Sequence, residues 1–394
     1  MSVVLPISSL RRGACPTLDQ PMPTGDGLLA RIRIAGGRID PVRLEQLAIL
    51  ASSFGNGMVE ITSRGNLQMR GLTDAVVPAF ARQVRQIVAV ESGLVVETPP
   101  LAGDDPLEFT DPRALASAIR AFAAPFAGGF APKATVVVDG NGQIGLEALK
   151  ADLRLVAVAA DRWLVSAGTT LLGTTTQPLD CARIVLSALL ALGPDARATQ
   201  FDLPGLLLTL GDRMEPSAPV HQPITSPVGR FSLRSGSATG LALPFGALPW
   251  ESLAALADGA WRFGIGEFRL GPQHSLLAIN ADESLLEEVA AIGFITDPRD
   301  PRLQVSACIG NRGCAAGHVD ARAVASRLAL TLPPHSTLHV SGCAKGCAHP
   351  AAADITLVGE PNGYGLVFGG KAGDTPRAVL RADQLATALV AGRG

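Results

Sequence analysis

The sequence carries no excess of either charge: 33 Lys and Arg against 35 Asp and Glu leave a formal net charge of −2. No global basic field is available to hold nucleic acid, so any anionic ligand must be gripped by a local cluster of cations. Long apolar runs are missing too. Stretches such as Ala182–Gly193 are too short to cross a bilayer, and the opening MSVVLPISSLRRGACP lacks the charged-then-apolar order of a secretory leader. No membrane partner is expected, and a cytoplasmic location is. Cysteine is scarce as well. Six in a chain of this size cannot form a disulfide scaffold, so clustered cysteines point instead to metal or catalysis. Apolar material is plentiful, at 47% hydrophobic against 17% charged, and supports two to four packed domains.

The chain is written twice. Displaced by 209, residues 37–68 fall on 246–277 without a gap, and nine of the 32 positions are identical. Each copy has a glycine (Gly37, Gly246), a short strand, and a proline (Pro41, Pro249) suited to the first turn of a helix. Apolar residues then recur at 44, 47, 48, 51 and 54, and again at 253, 256, 257, 260 and 263, which predicts a helix with one buried face. Gly55 and Gly264 end it, and alternating residues 58–69 and 267–278 each predict a strand. With residues 28–34 as an antiparallel neighbour, the unit reads as a ferredoxin-like half-domain. A displacement of 202 sets residues 132–168 on 334–370, with eleven of 37 positions identical. The order is therefore an α+β duplication with a pseudo-twofold axis, in which ferredoxin-like half-domains alternate with two α/β domains. The expected bounds are 12–101, 102–225, 226–297 and 298–394, with both half-domains feeding one central sheet and a cavity between the halves facing the cysteines.

The duplication isolates the chemistry. Cys343 falls opposite Asn141 and Cys347 opposite Gly145, so the scaffold does not need these thiols. The full set is Cys308-x5-Cys314, then 28 residues, then Cys343-x3-Cys347, all in glycine-rich turns. Structural zinc favours tighter C-x2-C or C-x4-C pairs. Four thiolates converging from loops, with free backbone N–H groups, suit a [4Fe–4S] cluster better. A zinc site and four buried structural thiols are the competing readings. Cys181, in an apolar helical run, reads as core; Cys15 stands alone in a Pro/Gly-rich segment.

This cysteine pattern resembles that of the siroheme-containing sulfite and nitrite reductases and their relatives. ITSRGNLQMRGL is similar to their Thr-x-Arg-x-x-x-Gln motif (Thr62, Arg64, Gln68), and LLARIRIAGGRI to their strand with paired arginines (Arg31, Arg33). The resemblance runs from about residue 12 to about 370 and implies this family's α/β domains between the half-domains. It also shows departures. The reductases hold their small anion with two arginines and two lysines. Here the stretch expected to carry the second arginine reads ETPPLAGDDPLEF, and the lysine strand keeps Lys133 but has Thr135 in the second place. Two of the four ligands are missing.

RRGACPTLDQPMPTGDGLLARIRIAGGRI and LHVSGCAKGCAHP look more like a shorter branch of the family, which oxygenates a precorrin-type tetrapyrrole in aerobic cobalamin biosynthesis. That resemblance implies O2 as co-substrate, a donor chain starting from NADH, and a [4Fe–4S] cluster accompanied by a mononuclear non-haem iron without siroheme. Siroheme belongs to the alternative of sulfite or nitrite reduction; a non-catalytic electron carrier is a third reading. A polycarboxylate ring needs guanidinium groups, for which Arg31, Arg33, Arg64 and Arg70 are the candidates, each pair expected on one strand face. Gln68 and Lys133 join them, with Lys345 at the rim. Histidines near the cysteines (His318, His335, His339, His349) and the carboxylates Asp320 and Asp354 are candidates for the iron, though no pair has a ligand spacing that assigns it.

Overall fold

The computed structural model describes residues 16–219 and 225–391. The first unit comprises β1 (Met22–Thr24), β2 (Gly27–Ile32), β3 (Arg38–Ile39), α1 (Pro41–Phe54), β4 (Met58–Ile61), β5 (Leu67–Leu72) and α2 (Val77–Ile87). Asp40 caps α1 by accepting from Arg43 N at 2.9 Å, and Pro41 occupies the first turn, where its missing N–H costs nothing. Leu44, Leu47, Ala48 and Ala51 form the buried face. The second unit holds β6 (Val95–Glu97), α3 (Arg113–Ala123), β7 (Thr135–Asp139), β8 (Leu153–Ala157), β9 (Trp163–Ala167), β10 (Thr170–Thr175), α4 (Pro178–Leu192) and α5 (Leu203–Leu210).

The third unit repeats the first: β11 (Gly229–Ser232), β12 (Ser237–Ala242), β13 (Ala247–Pro249), α6 (Trp250–Gly259), β14 (Phe268–Gly271), β15 (Ser275–Ile279) and α7 (Leu285–Ala291). The fourth repeats the second: β16 (Val305–Ala307), α8 (Ala321–Ala329), β17 (Leu338–Ser341), β18 (Ala353–Glu360), β19 (Gly363–Gly370), β20 (Ala378–Leu380) and α9 (Leu385–Ala391). The α/β sheets share one plan. In β6-β7-β8-β9-β10 and in β16-β17-β18-β19-β20, the first three strands are parallel and the last two antiparallel. No helix among the described residues is long and apolar enough to cross a membrane.

Two expectations need correction. The alternating run of residues 58–69 is not one strand but a hairpin, β4 and β5, whose turn is closed by Thr62 N to Asn66 O and Gly65 N to Thr62 O. Gly65 sits at φ +74°, where a side chain would be strained and its Cβ would meet Gly271 O at 3.0 Å. Residues 267–278 likewise fold back as β14 and β15. Nor do the half-domains build one central sheet. They form two, β1-β2-β5-β4-β13 and β11-β12-β15-β14-β3, each completed by the short strand of the other unit. The halves are joined besides by α1 packed on α6 and by a single hydrophobic core running through both. Each fully buried Leu in that core is worth about 1.5–3 kcal/mol.

Candidate functional site

The sheet of the first unit has two unlike faces. Ala30, Ile32 and Met69 point into the core. On the opposite face, β2, β5 and β4 set Arg31, Gln68 and Glu60 in one row, because Arg31 pairs in register with Gln68 and Gln68 with Glu60. The side chains bond accordingly: Arg31 Nε and Nη2 donate to Gln68 Oε1 at 2.8 and 2.6 Å, and Gln68 Nε2 donates to Glu60 Oε2 at 3.0 Å. Glu60 also receives Arg322 Nη2 of α8 at 2.8 Å, tying this row to the unit that bears the cysteines. Arg70, two residues along from Gln68, forms a two-pronged pair with Asp26 at 2.9 and 2.8 Å. Burial alone would lift the Asp26 carboxyl; Arg70 overrides it and holds that carboxyl below the usual range.

The Asp26 segment leads directly to the cysteines. A Cβ on the neighbouring Gly25 would lie 2.2 Å from Ala315 N and 2.5 Å from Cys314 Cα, so only glycine lets the β1–β2 turn pass there. Cys308 and Cys314 flank the short turn after β16, and Cys343 and Cys347 lie in the loop after β17, the parallel neighbour of β16. Gly342 N donates to Cys308 Sγ at 3.1 Å, and Ser341 Oγ donates to Cys343 O at 2.7 Å. Burial raises the Cys343 and Cys347 thiols, and the electrostatic influence of the other cysteines raises them further. Sulfurs so placed gain from a multinuclear cation that lets all four ionise.

Among the described residues, no three His, Cys, Asp or Glu side chains converge enough to hold a metal ion. The two loops, the N–H bonded to sulfur and the mutual influence of the thiols fit a larger cluster. Nor do the described histidines gather with two further ligands. His318 and His335 are exposed. His339 is fully buried, its ring 5.6 Å from that of His349, whose Nε2 lies 3.4 Å from Ala352 O. Asp320 caps α8 and pairs with Arg312, while Asp354 accepts from Thr337 N and Oγ1.

An open cleft lies between the halves, bounded by residues 33, 34, 36 and 37, 64–66, 91, 95–100 and 270–272 with Arg120, Leu146 and Leu149. Arg33 and Arg64 line it; Arg31, Gln68, Arg70, Lys133 and the cysteines do not. Arg33 lies just past β2 and donates to Glu91 O and Gly93 O at 3.3 and 3.1 Å. Arg64 sits in the β4–β5 turn rather than on a strand, and bonds Lys150 O at 2.7 Å and Thr135 Oγ1 at 3.5 Å. Lys133 is exposed, and Lys345 is partly buried between Cys343 and Cys347. Cys181 is core, as expected, and Cys15 lies outside the described residues.

Residues 20–87 match the nitrite/sulfite reductase ferredoxin-like half domain, and residues 300–390 the nitrite and sulphite reductase 4Fe-4S domain. A precorrin-3B synthase of Sinorhizobium sp. is 36% identical over 97% of this chain and 88% of its own length. The chain belongs to the nitrite and sulfite reductase family, on its precorrin-3B synthase branch. A ferredoxin–nitrite reductase of Synechococcus elongatus is more distant, at 24% identity over 88% of this chain and 80% of its own. The solved NirA protein of Mycobacterium tuberculosis shares the fold with a TM-score of 0.69 at 20% identity, covering 91% of this chain and 79% of that one. As a member of this family the chain is an oxidoreductase, and its 4Fe-4S domain supports an iron–sulfur cluster.

Five polar residues of this family member escaped sequence reasoning: Asp26, Glu60, Glu97, Arg120 and Arg322. Glu60 had a usable signal. Once residues 58–72 are read as a hairpin, it falls directly opposite Gln68. Arg322, Asp26 and Arg120 reach their partners from remote elements, which no local pattern reports.

Proposed function

We propose that this chain is a precorrin-3B synthase, a cytoplasmic oxygenase that hydroxylates precorrin-3A at C20 with lactone formation. It would use O2 and a donor chain fed ultimately by NADH. The observation that carries the reading is the near full-length identity to the Sinorhizobium enzyme. The site supports it, because where the reductases have a second lysine this chain has buried Thr135, bonded to Lys133 O and approached by Arg64. In this reading Cys308, Cys314, Cys343 and Cys347 hold a [4Fe–4S] cluster, which when bound supplies single electrons. The residues described above form no ligand set for a separate iron, and none is assigned.

Arg33 and Arg64 grip substrate carboxylates at the cleft, while Lys133 stands outside it. Arg31, Gln68 and Arg70 act from the row that joins this sheet to the cluster-bearing unit. Charge-assisted guanidinium–carboxylate bonds are worth about 1.5–3 kcal/mol each. Arg64→Ala should therefore weaken anaerobic binding of precorrin-3A by roughly tenfold to more than a hundredfold, with the cluster's visible spectrum unchanged. Purified protein that carries siroheme and reduces sulfite or nitrite would overturn this assignment and leave the fold intact.

A further inference from the structure

Glu97 ends β6 at the wall of the cleft, and its Oε1 is buried without a hydrogen-bond partner. Arg120 of α3 also lines the cleft, and its Nε is buried and equally unpartnered. An acceptor and a donor left unsatisfied in one cavity each lose the hydrogen bonds that water would have given them. Native folds keep few such groups, and those they keep call for an explanation such as a catalytic role. The charged groups facing Glu97 come from every side: Arg33 after β2, Arg64 from the β4–β5 turn, Arg120 from α3, and Glu91 from the segment before β6. The arginines donate elsewhere, Arg33 to Glu91 O and Gly93 O, Arg64 to Lys150 O, and Arg120 Nη2 to Val96 O. They act on Glu97 as charges without occupying its Oε1.

We propose that Glu97 is the proton donor of the oxygenation, an inference that rests on the function proposed above. Incorporating one atom of O2 into the substrate takes two electrons from the donor and two protons, and the second oxygen atom leaves as water. Glu97 gives one of those protons to the departing oxygen. The carboxylate that remains is stabilised by Arg33, Arg64 and Arg120, and water entering the cleft returns the proton. Burial helps by raising the proton affinity of this carboxyl, with Glu91 adding to it and the three arginines opposing. The carboxyl thus holds its proton more firmly than a free one, and its conjugate base does not stand alone.

The test is Glu97→Gln, which keeps the shape and removes the exchangeable acid. Turnover of precorrin-3A should fall roughly a hundredfold or more, with anaerobic substrate binding and the cluster spectrum unchanged. Wild-type turnover should decline as pH rises through the Glu97 titration, because the protonated form is required. Glu97→Gln should lose that limb, and Glu97→Asp should restore it in part. A wild-type infrared band from a protonated carboxyl should be absent in Glu97→Gln, a difference that a purely structural role would not produce. A Glu97→Gln enzyme with wild-type turnover and the same pH limb overturns the proposal. Wild-type protein that fails to oxygenate any precorrin overturns the functional reading instead. In that case the infrared band still decides whether Glu97 holds a proton, and its absence removes the inference on its own.

Discussion

The two α/β units have the same strand order but keep different contents in the loop after their second strand. In the first, the carboxylate of Asp139 is fully buried and accepts from Asn141 N at 2.8 Å and Leu146 N at 2.9 Å. Asn141 Nδ2 then donates to Ala157 O at 3.1 Å. That loop is closed by its own hydrogen bonds. In the second unit, Ser341 replaces Asp139 and holds only the carbonyl of Cys343, while Cys343 and Cys347 replace Asn141 and Gly145. What both units keep is telling. Thr135 N donates to Asp152 Oδ2 at 3.0 Å, and Thr337 N donates to Asp354 Oδ2 at 2.8 Å. These identical residues hold the scaffold, and the two cysteines are among the positions that changed. The cysteine-bearing loop has no such carboxylate clasp.

That contrast can be broken most severely at the paired positions themselves. Cys343→Ser should abolish the cluster, read as iron and sulfide content and visible absorption. Asn141→Gly, at a residue with φ +61°, should cost only about 1 kcal/mol in denaturant unfolding and leave the cluster in place. Equal cluster loss from both changes would mean that the two loops are not functionally distinct.

His339 offers a second lever, because its twin position is Val137. The imidazole is wholly buried with both ring nitrogens unpartnered, and burial, then His349, lower its pKa to about 4. A folded pKa below the unfolded value leaves stability intact above about 6.5 and lowers it as pH falls from there towards about 4. The expected loss is up to roughly 3 kcal/mol, and His339→Val should flatten this stretch of the pH–stability curve. An unchanged curve in the variant would exclude His339 as its source.

The smallest effects concern the clasp. Asp139→Asn leaves one of two buried N–H groups without its acceptor and should cost about 2 kcal/mol, against about 1 kcal/mol for Ser341→Ala. Chemical denaturation of both variants measures the difference. The reverse ranking would show that the second loop depends on its hydroxyl more than the first does on its carboxylate.

Much of this was legible in the sequence because a duplication supplies its own control. The 209 and 202 displacements located the repeated helices, and the absence of thiols from the first copy marked Cys343 and Cys347 as chemistry. Alternation failed at the turns. Apolar residues alternate in one phase on both sides, at Val59 and Ile61 and at Leu67 and Met69, and only the closing hydrogen bonds show that the polar Thr62–Asn66 between them turns back as a hairpin. The arginines were found but not their grouping, since strand register puts Arg31 against Gln68 while Arg33 and Arg64 turn to the cleft. Strands as short as β3 and β13 carry no periodic signal, and their partners lie in the other half of the chain.

Those two short strands also govern how the molecule can assemble. Ile39 pairs with Phe268, and Leu248 with Val59, so neither half-domain sheet closes until most of the chain has been synthesised. Such remote pairing slows folding, since the loop entropy is spent before the contacts form. A first half made alone carries an open β4 edge and an unmatched β3, and exposed edges invite association. By the repeat, β3 is the counterpart of the strand that β4 needs. Two copies of such a half could satisfy each other in a symmetric dimer, and the exchanged strands of the present chain reproduce that pairing within one chain.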